Sequence, residues 1–137
     1  MDNLNRRSAL VVLGCIAATV AGVRPAAADT MTKSNDTTLA PGVVQRVYGG
    51  NPSIIPAYKS VSMRDFIVQP GSKSGPNASM KNDMVCHITQ GELRVTQDGK
   101  TFAATANSVW TCAKGTIEQV FNDGTVVAIM RITDLMA

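Results

Sequence analysis

Met84-Val85-Cys86-His87-Ile88-Thr89-Gln90-Gly91-Glu92-Leu93-Arg94-Val95-Thr96-Gln97-Asp98-Gly99 is the stretch that decides the fold. Two runs rich in β-branched residues, Met84 to Thr89 and Leu93 to Gln97, meet at Gln90-Gly91, and Asp98-Gly99 leads into a third, Thr101 to Ala104. Glycine tolerates the positive φ that a two-residue turn imposes, so Asp-Gly between apolar runs marks a hairpin. The two-residue period of a strand puts Met84, Cys86 and Ile88 on one face and Val85, His87 and Thr89 on the other.

The same rhythm extends in both directions. Upstream, Val43 to Tyr48 ends at the breaker Gly49-Gly50-Asn51-Pro52, and Val61 to Val68 ends at Pro70-Gly71. A loop rich in Ser, Gly, Pro and Asn follows, from Gly71 to Asn82. Downstream lie Val109 to Cys112, Ile117 to Phe121 and Val126 to Ile132, punctuated by Lys114-Gly115 and Asn122-Asp123-Gly124. Many short strands with regular turns, no internal repeat and no helical period beyond the N-terminal run predict an all-β sandwich or barrel.

The N-terminal segment reads differently. Asn5-Arg6-Arg7-Ser8-Ala9-Leu10 is a basic start, Ala9 to Val23 is apolar, and Ala26-Ala27-Ala28 offers the small residues that signal peptidase requires. The expected organisation is a signal peptide over 1–28, a polar flexible tail over 29–40 and one barrel over 41–137. The paired arginines resemble a twin-arginine export signal, with Leu10 where that family has it and Ala9 in place of a common Phe. Val12-Leu13-Gly14-Cys15 also resembles a lipobox, but the apolar run continues past Cys15 where a lipoprotein turns polar. The expected location is periplasmic or secreted. The formal charge of +3 sits mostly in the leader, at Arg6, Arg7 and Arg24. No Lys/Arg cluster remains beyond it to argue for nucleic acid or an anionic membrane surface.

From Pro70 to Arg131 the sequence resembles the cupins. Gly71 and Gly91 stand at the two ends of that family's first motif, and Gly115 and Asn122 keep their places in its second. The resemblance implies a single cupin-type jelly-roll (double-stranded β-helix) barrel, a homodimer, and a divalent metal held by two His, one Glu and a further His. Carried over residue by residue, those four positions fall on Asn77, Ser79, Met84 and Glu118, while Asn107 and Ala113 replace a Gly and a Pro. Iron or manganese wants several imidazole and carboxylate ligands, and this chain holds a single His. The usual His-rich metal site is therefore lost.

By the same resemblance, the barrel interior takes Met84, Cys86, Trp110, Cys112 and Glu118. Three readings of Cys86 and Cys112 stand open. A disulfide would close a loop of about 25 residues and contribute roughly 3 kcal/mol in the entropic account. A soft-metal site would join both sulfurs to Met84 and Glu118 and suit Cu(I) or Zn(II). Two unpaired thiols would pack as small hydrophobes. Trp110 serves as core or as a ligand-stacking platform. Glu118 is the candidate catalytic acid or base, because an inward carboxylate without a partner has its pKa raised. His87 falls on the outward face, and Met130 is core filler.

Three function classes follow: a barrel that binds a small molecule, with Met84, Trp110 and Glu118 as ligand contacts; a metal-dependent enzyme of dioxygenase, isomerase or lyase type; and a soft-metal protein built on the cysteine pair. The missing family ligands favour the first. The export reading has its own test: N-terminal sequencing of protein recovered from the periplasm should begin at Asp29, and an intact Met1 or a lipid on Cys15 would reject that processing.

Overall fold

Burial alternates along the longer strands of the C-terminal half of the chain, and that alternation builds the core. The computed structural model describes residues 35–75 and 78–137. The signal peptide, Cys15 and Asn77 lie outside the described residues. Ten strands run in chain order: β1 Asn35–Ala40, β2 Val43–Pro52, β3 Ser60–Val68, β4 Ala78–Ser79, β5 Asp83–Gln90, β6 Glu92–Gln97, β7 Lys100–Thr105, β8 Val109–Cys112, β9 Ile117–Phe121 and β10 Ala128–Met136. They form two antiparallel sheets, β1-β2-β3-β10-β5-β8 and β4-β9-β6-β7. No helix occurs among the described residues.

Inward positions recur at every second residue: Met84, Cys86 and Ile88 on β5, Leu93 and Val95 on β6, and Ala128, Met130 and Ile132 on β10. The parity expected for β5 and for Trp110 and Cys112 on β8 therefore holds, with Cys112 buried and Trp110 half-buried. Each fully buried Val, Leu or Ile is worth about 1.5–3 kcal/mol of transfer free energy, so the two inner faces drive the sheets together.

The turns that the sequence marks are present. Asp98 and Gly99 both take positive φ, and they join β6 to β7 in register from Gln97↔Lys100 to Glu92↔Thr105. Gly91 links β5 to β6 with φ of 71°. A Cβ there would stand 2.8 Å from the Val127 carbonyl oxygen and 2.9 Å from the Ala128 Cα, so this link admits no side chain.

Three local expectations need correction. Residues 35–40, read as flexible tail, form β1 and pair with β2 from Asn35↔Val47 to Ala40↔Val43. Their side chains are almost all exposed, which leaves no apolar period to betray a strand. Gly49-Gly50-Asn51-Pro52, read as a breaker, instead continues β2. A register shift between Val47 and Gly49 absorbs one residue, and pairing with β3 resumes through Pro52↔Ser60. Among the described residues β1 pairs no farther than Val47, so no described strand needs the Pro52 position as a donor on that side. Finally, the loop after Gly71 contains the short strand β4, paired with Glu118 and Ile117 of β9.

Asn122 locks the sheets where β9 turns toward β10. It is 1 % exposed. Its side-chain amide donates to the carbonyls of Val68 (2.9 Å) and Val126 (2.8 Å), and its oxygen accepts from the Gly124 N–H (3.0 Å). Replacing it removes three bonds and leaves buried carbonyls unpaired, a defect costing about 1–3 kcal/mol for each buried group. Asn122→Ala should lower stability by about 3 kcal/mol and the thermal midpoint by roughly 10 °C or more; a midpoint within two or three degrees of the parent would contradict this role.

Candidate functional site

β9 reverses the usual placement of apolar and charged residues. Ile117 faces outward and is 46 % exposed, while Glu118 faces inward and is 6 % exposed. The reversal follows from pairing: Glu118 sits opposite Gln97 on β6 and Ala78 on β4, and strand alternation then puts Val120 beside it on the inner face. An ionised carboxylate out of water must be hydrogen-bonded. The Trp110 indole N–H donates to Glu118 Oε2 at 3.0 Å, and the Cys112 thiol donates to the same oxygen at 3.1 Å. Both donors come from β8 in the opposite sheet.

Gln97 completes the arrangement from β6. Its amide donates to the Thr111 carbonyl at 3.0 Å and to Cys112 Sγ at 3.2 Å. The neighbouring Cys112 thiol, burial and the negative charge of Glu118 push the Cys86 thiol on β5 far above the ordinary thiol range. Cys86, Cys112 and Glu118 are all buried, and their ligand atoms lie within 4.8 Å of one another.

The cysteines are free, which corrects the disulfide reading. Register supplies the reason. Cys86 is opposite Trp110 and Cys112 is opposite Met84, so the cysteines are diagonal rather than facing. Diagonal positions on antiparallel strands are about 7–8 Å apart, well beyond directly opposed ones, and a disulfide needs Cβ atoms about 4 Å apart.

On the other side of Glu118 a cavity of about 630 Å³ opens within the barrel. Phe66, Met80, Met84, Val120, Met130 and Ile132 supply its apolar walls. Its polar wall is an Arg64–Asp134–Gln45 cluster on β3, β10 and β2. Arg64 donates to both oxygens of Asp134 (2.7 and 3.1 Å) and to Gln45 Oε1 (2.8 Å), with its guanidinium 5.1 Å from the centre of the Phe66 ring. Asp134 is 5 % exposed, and such a bidentate pair fixes both groups in direction.

The expected site residues thus divide. Met84, Glu118 and Ser79 all line the cavity; the fourth position given by the cupin resemblance, Asn77, lies outside the described residues. Trp110, Cys86 and Cys112 are not among the lining residues. Trp110 instead orients Glu118 and packs edge-on against Phe102, ring centres 5.7 Å apart. This corrects its reading as a ligand-stacking platform. The residues that fill the family's metal positions do not fit that family's metal centre: Ser79 and Met84 are poor donors for a hard or borderline ion, which leaves Glu118 as the one good ligand among them.

Arg64, Asp134, Gln45 and Gln97 were not legible as site residues. Gln97 shares parity with the inward Leu93 and Val95, a signal that was available. Arg64 stands beside Asp65, and a charged pair in mid-strand reads as a solvent face. In fact Asp65 is satisfied on the opposite face of β3 by Arg131 (2.9 and 3.0 Å) and Tyr48 (2.6 Å).

No protein-family model and no curated protein sequence matches the chain. Solved structures do. An RmlC-like cupin from Shewanella frigidimarina superposes with a TM-score of 0.62 at 15 % identity, over 77 % of this chain and 86 % of that one. A predicted oxalate decarboxylase from Thermotoga maritima gives 0.57 at 14 %, over 77 % and 93 %. A putative sugar phosphate isomerase from Acidithiobacillus ferrooxidans gives 0.57 at 14 %, over 77 % and 69 %. At such identities likeness speaks for the fold, and the fold of this chain is a cupin-type jelly-roll barrel.

Proposed function

We propose that this chain is an exported cupin-fold protein that binds a small amphipathic molecule inside its barrel, with the family's His-rich metal site lost. The observation that carries the reading is the cavity: about 630 Å³, with mostly apolar walls and two fixed polar ends, Arg64–Asp134–Gln45 and Glu118. Pockets that hold small organic ligands have that size and that composition, apolar area for affinity and a few convergent polar groups for orientation. Both hydrogen bonds that Glu118 accepts from described residues end on Oε2. Oε1 is thus left to meet a hydroxyl or amine of the ligand. Export rests on residues 5–28 alone.

A second reading, an isomerase or lyase with Glu118 as acid or base, draws support from that same free oxygen. Two of the similar structures, a putative sugar phosphate isomerase and a predicted oxalate decarboxylase, point the same way. It requires turnover as well as binding.

Titration with 1-hexanol and with hexylamine, followed by amide chemical shifts, tests the binding reading. Saturable shifts should cluster at Met84, Val120, Met130 and Ile132, and Val120→Phe, which takes up space in the cavity, should weaken them at least about tenfold. Shifts that are non-saturable, or that scatter over the outer sheet face, would sink the proposal. Glu118→Gln should weaken hexylamine more than hexanol, since only the amine loses a charge partner.

A further inference from the structure

Cys86, Cys112 and Glu118 reach one point from three strands, β5, β8 and β9. The cavity reading uses Glu118 as a ligand contact and Cys112 only as its hydrogen-bond donor, and it leaves Cys86 without a task. Two features set the thiols apart from cysteines that merely fill a core. First, the three ligand atoms fall within 4.8 Å of one another. A tetrahedral ion with bonds of about 2.3 Å to sulfur and about 2.0 Å to oxygen spaces its donors at roughly 3.3–3.8 Å, so closing the set requires movements on the order of an ångström. Second, the ligand atoms already carry outer partners of the kind that tune metal sites. The Gln97 amide donates to Cys112 Sγ and the Trp110 indole donates to Glu118 Oε2; both bonds persist, and strengthen, when sulfur and carboxylate are anionic.

We infer that Cys86, Cys112 and Glu118 form a zinc site, displaced from the position where the cupin resemblance would place a metal. The chemistry of the donors selects the ion. Two thiolates favour a soft or borderline d¹⁰ cation, and the carboxylate favours Zn(II) over Cu(I), which takes sulfur and leaves oxygen. Binding would replace two S–H protons, released to solvent, with two S–Zn bonds; the carboxylate would be the third ligand and a water the fourth. The charge of the ion, two thiolates and one carboxylate sums to a single negative charge.

The test uses the full chain, reduced and stripped of metal, with Cys15→Ser so that only Cys86 and Cys112 carry thiols. Titration with Zn(II) against a competing chromophoric chelator should give equimolar binding with release of two protons per ion. Cd(II) should add a sulfur-to-metal charge-transfer band in the ultraviolet, and saturating Zn(II) should raise the thermal midpoint, because a ligand that binds only the folded state stabilises it. Cys86→Ala and Cys112→Ala should each weaken Zn(II) at least about a hundredfold, and Gln97→Leu about tenfold. The midpoint rise in the parent chain keeps the test decisive even if an alanine variant fails to fold. No equimolar binding, no midpoint rise, or Zn(II) affinity unchanged in a folded Cys86→Ala would overturn the site. Zn(II) affinity unaffected by Glu118→Gln, with Cu(I) bound more tightly, would replace it with a two-thiolate copper site. Hexanol binding measured in Cys112→Ala separates this outcome from that of the cavity reading.

Discussion

A carboxylate buried between two sheets has to be satisfied by the sheet it faces, and Glu118 makes that constraint structural. Its strand belongs to the four-stranded sheet, but both donors to its Oε2, the Trp110 indole and the Cys112 thiol, belong to the six-stranded one. Gln97 reaches across in the same direction, from β6 to the Thr111 carbonyl and the Cys112 sulfur. At this end, then, the barrel is closed by directional bonds rather than by interdigitated apolar side chains. Directional bonds to an anion fix distance and angle together. The spacing between the sheets is set at Glu118, and the position of the cavity follows from it.

At the opposite wall the same principle operates with a charge pair. Arg64 lies on the inner face of β3, where an unpaired guanidinium would cost more than the strand could supply. Asp134 and Gln45 engage it from the neighbouring strands β10 and β2. Because the three residues are tied to one another, they do not collapse onto Glu118 across the barrel. The methionines and aliphatic residues between the two polar ends cover the walls without filling the space. Every buried side-chain nitrogen and oxygen among the described residues has a partner. The interior is thus polar at two fixed points and is not a core in the process of failing.

The fold was legible in the sequence wherever a strand has one buried face. β8 and β9 are found at the residues where the apolar runs lie, and the parity of β5 named its inward side chains. What escaped did so for identifiable reasons. β1 buries almost nothing, so its strand character comes from pairing with β2 and leaves no mark in composition. The Gly49-Gly50 pair signals a turn and equally a strand irregularity, and only the presence of β3 decides between them. In the site, single-residue readings fared worse than pairs. Glu118 was identified through a family position. Its partners depend on how β8 of one sheet stands over β9 of the other, and local periodicity carries no information on that. Arg64 and Asp134 are seventy positions apart, and each alone looks like a surface charge.

β1 has a consequence for how the barrel stays single. Six mostly exposed residues pair with the outer side of β2, fastened at the surface by the Asp36–Arg46 ion pair, and Leu39 joins the rim of the cavity. An exposed pair of this kind adds little stability, so the value of the strand is in what it conceals. Without it, β2 would offer a row of unpaired amides and carbonyls beside Val43 and Val44, a template for another chain to add to. A chain trimmed at residue 41, as its composition invites, would lose that cover and part of the cavity rim at once. This polar first strand is therefore the barrel's guard against its own aggregation.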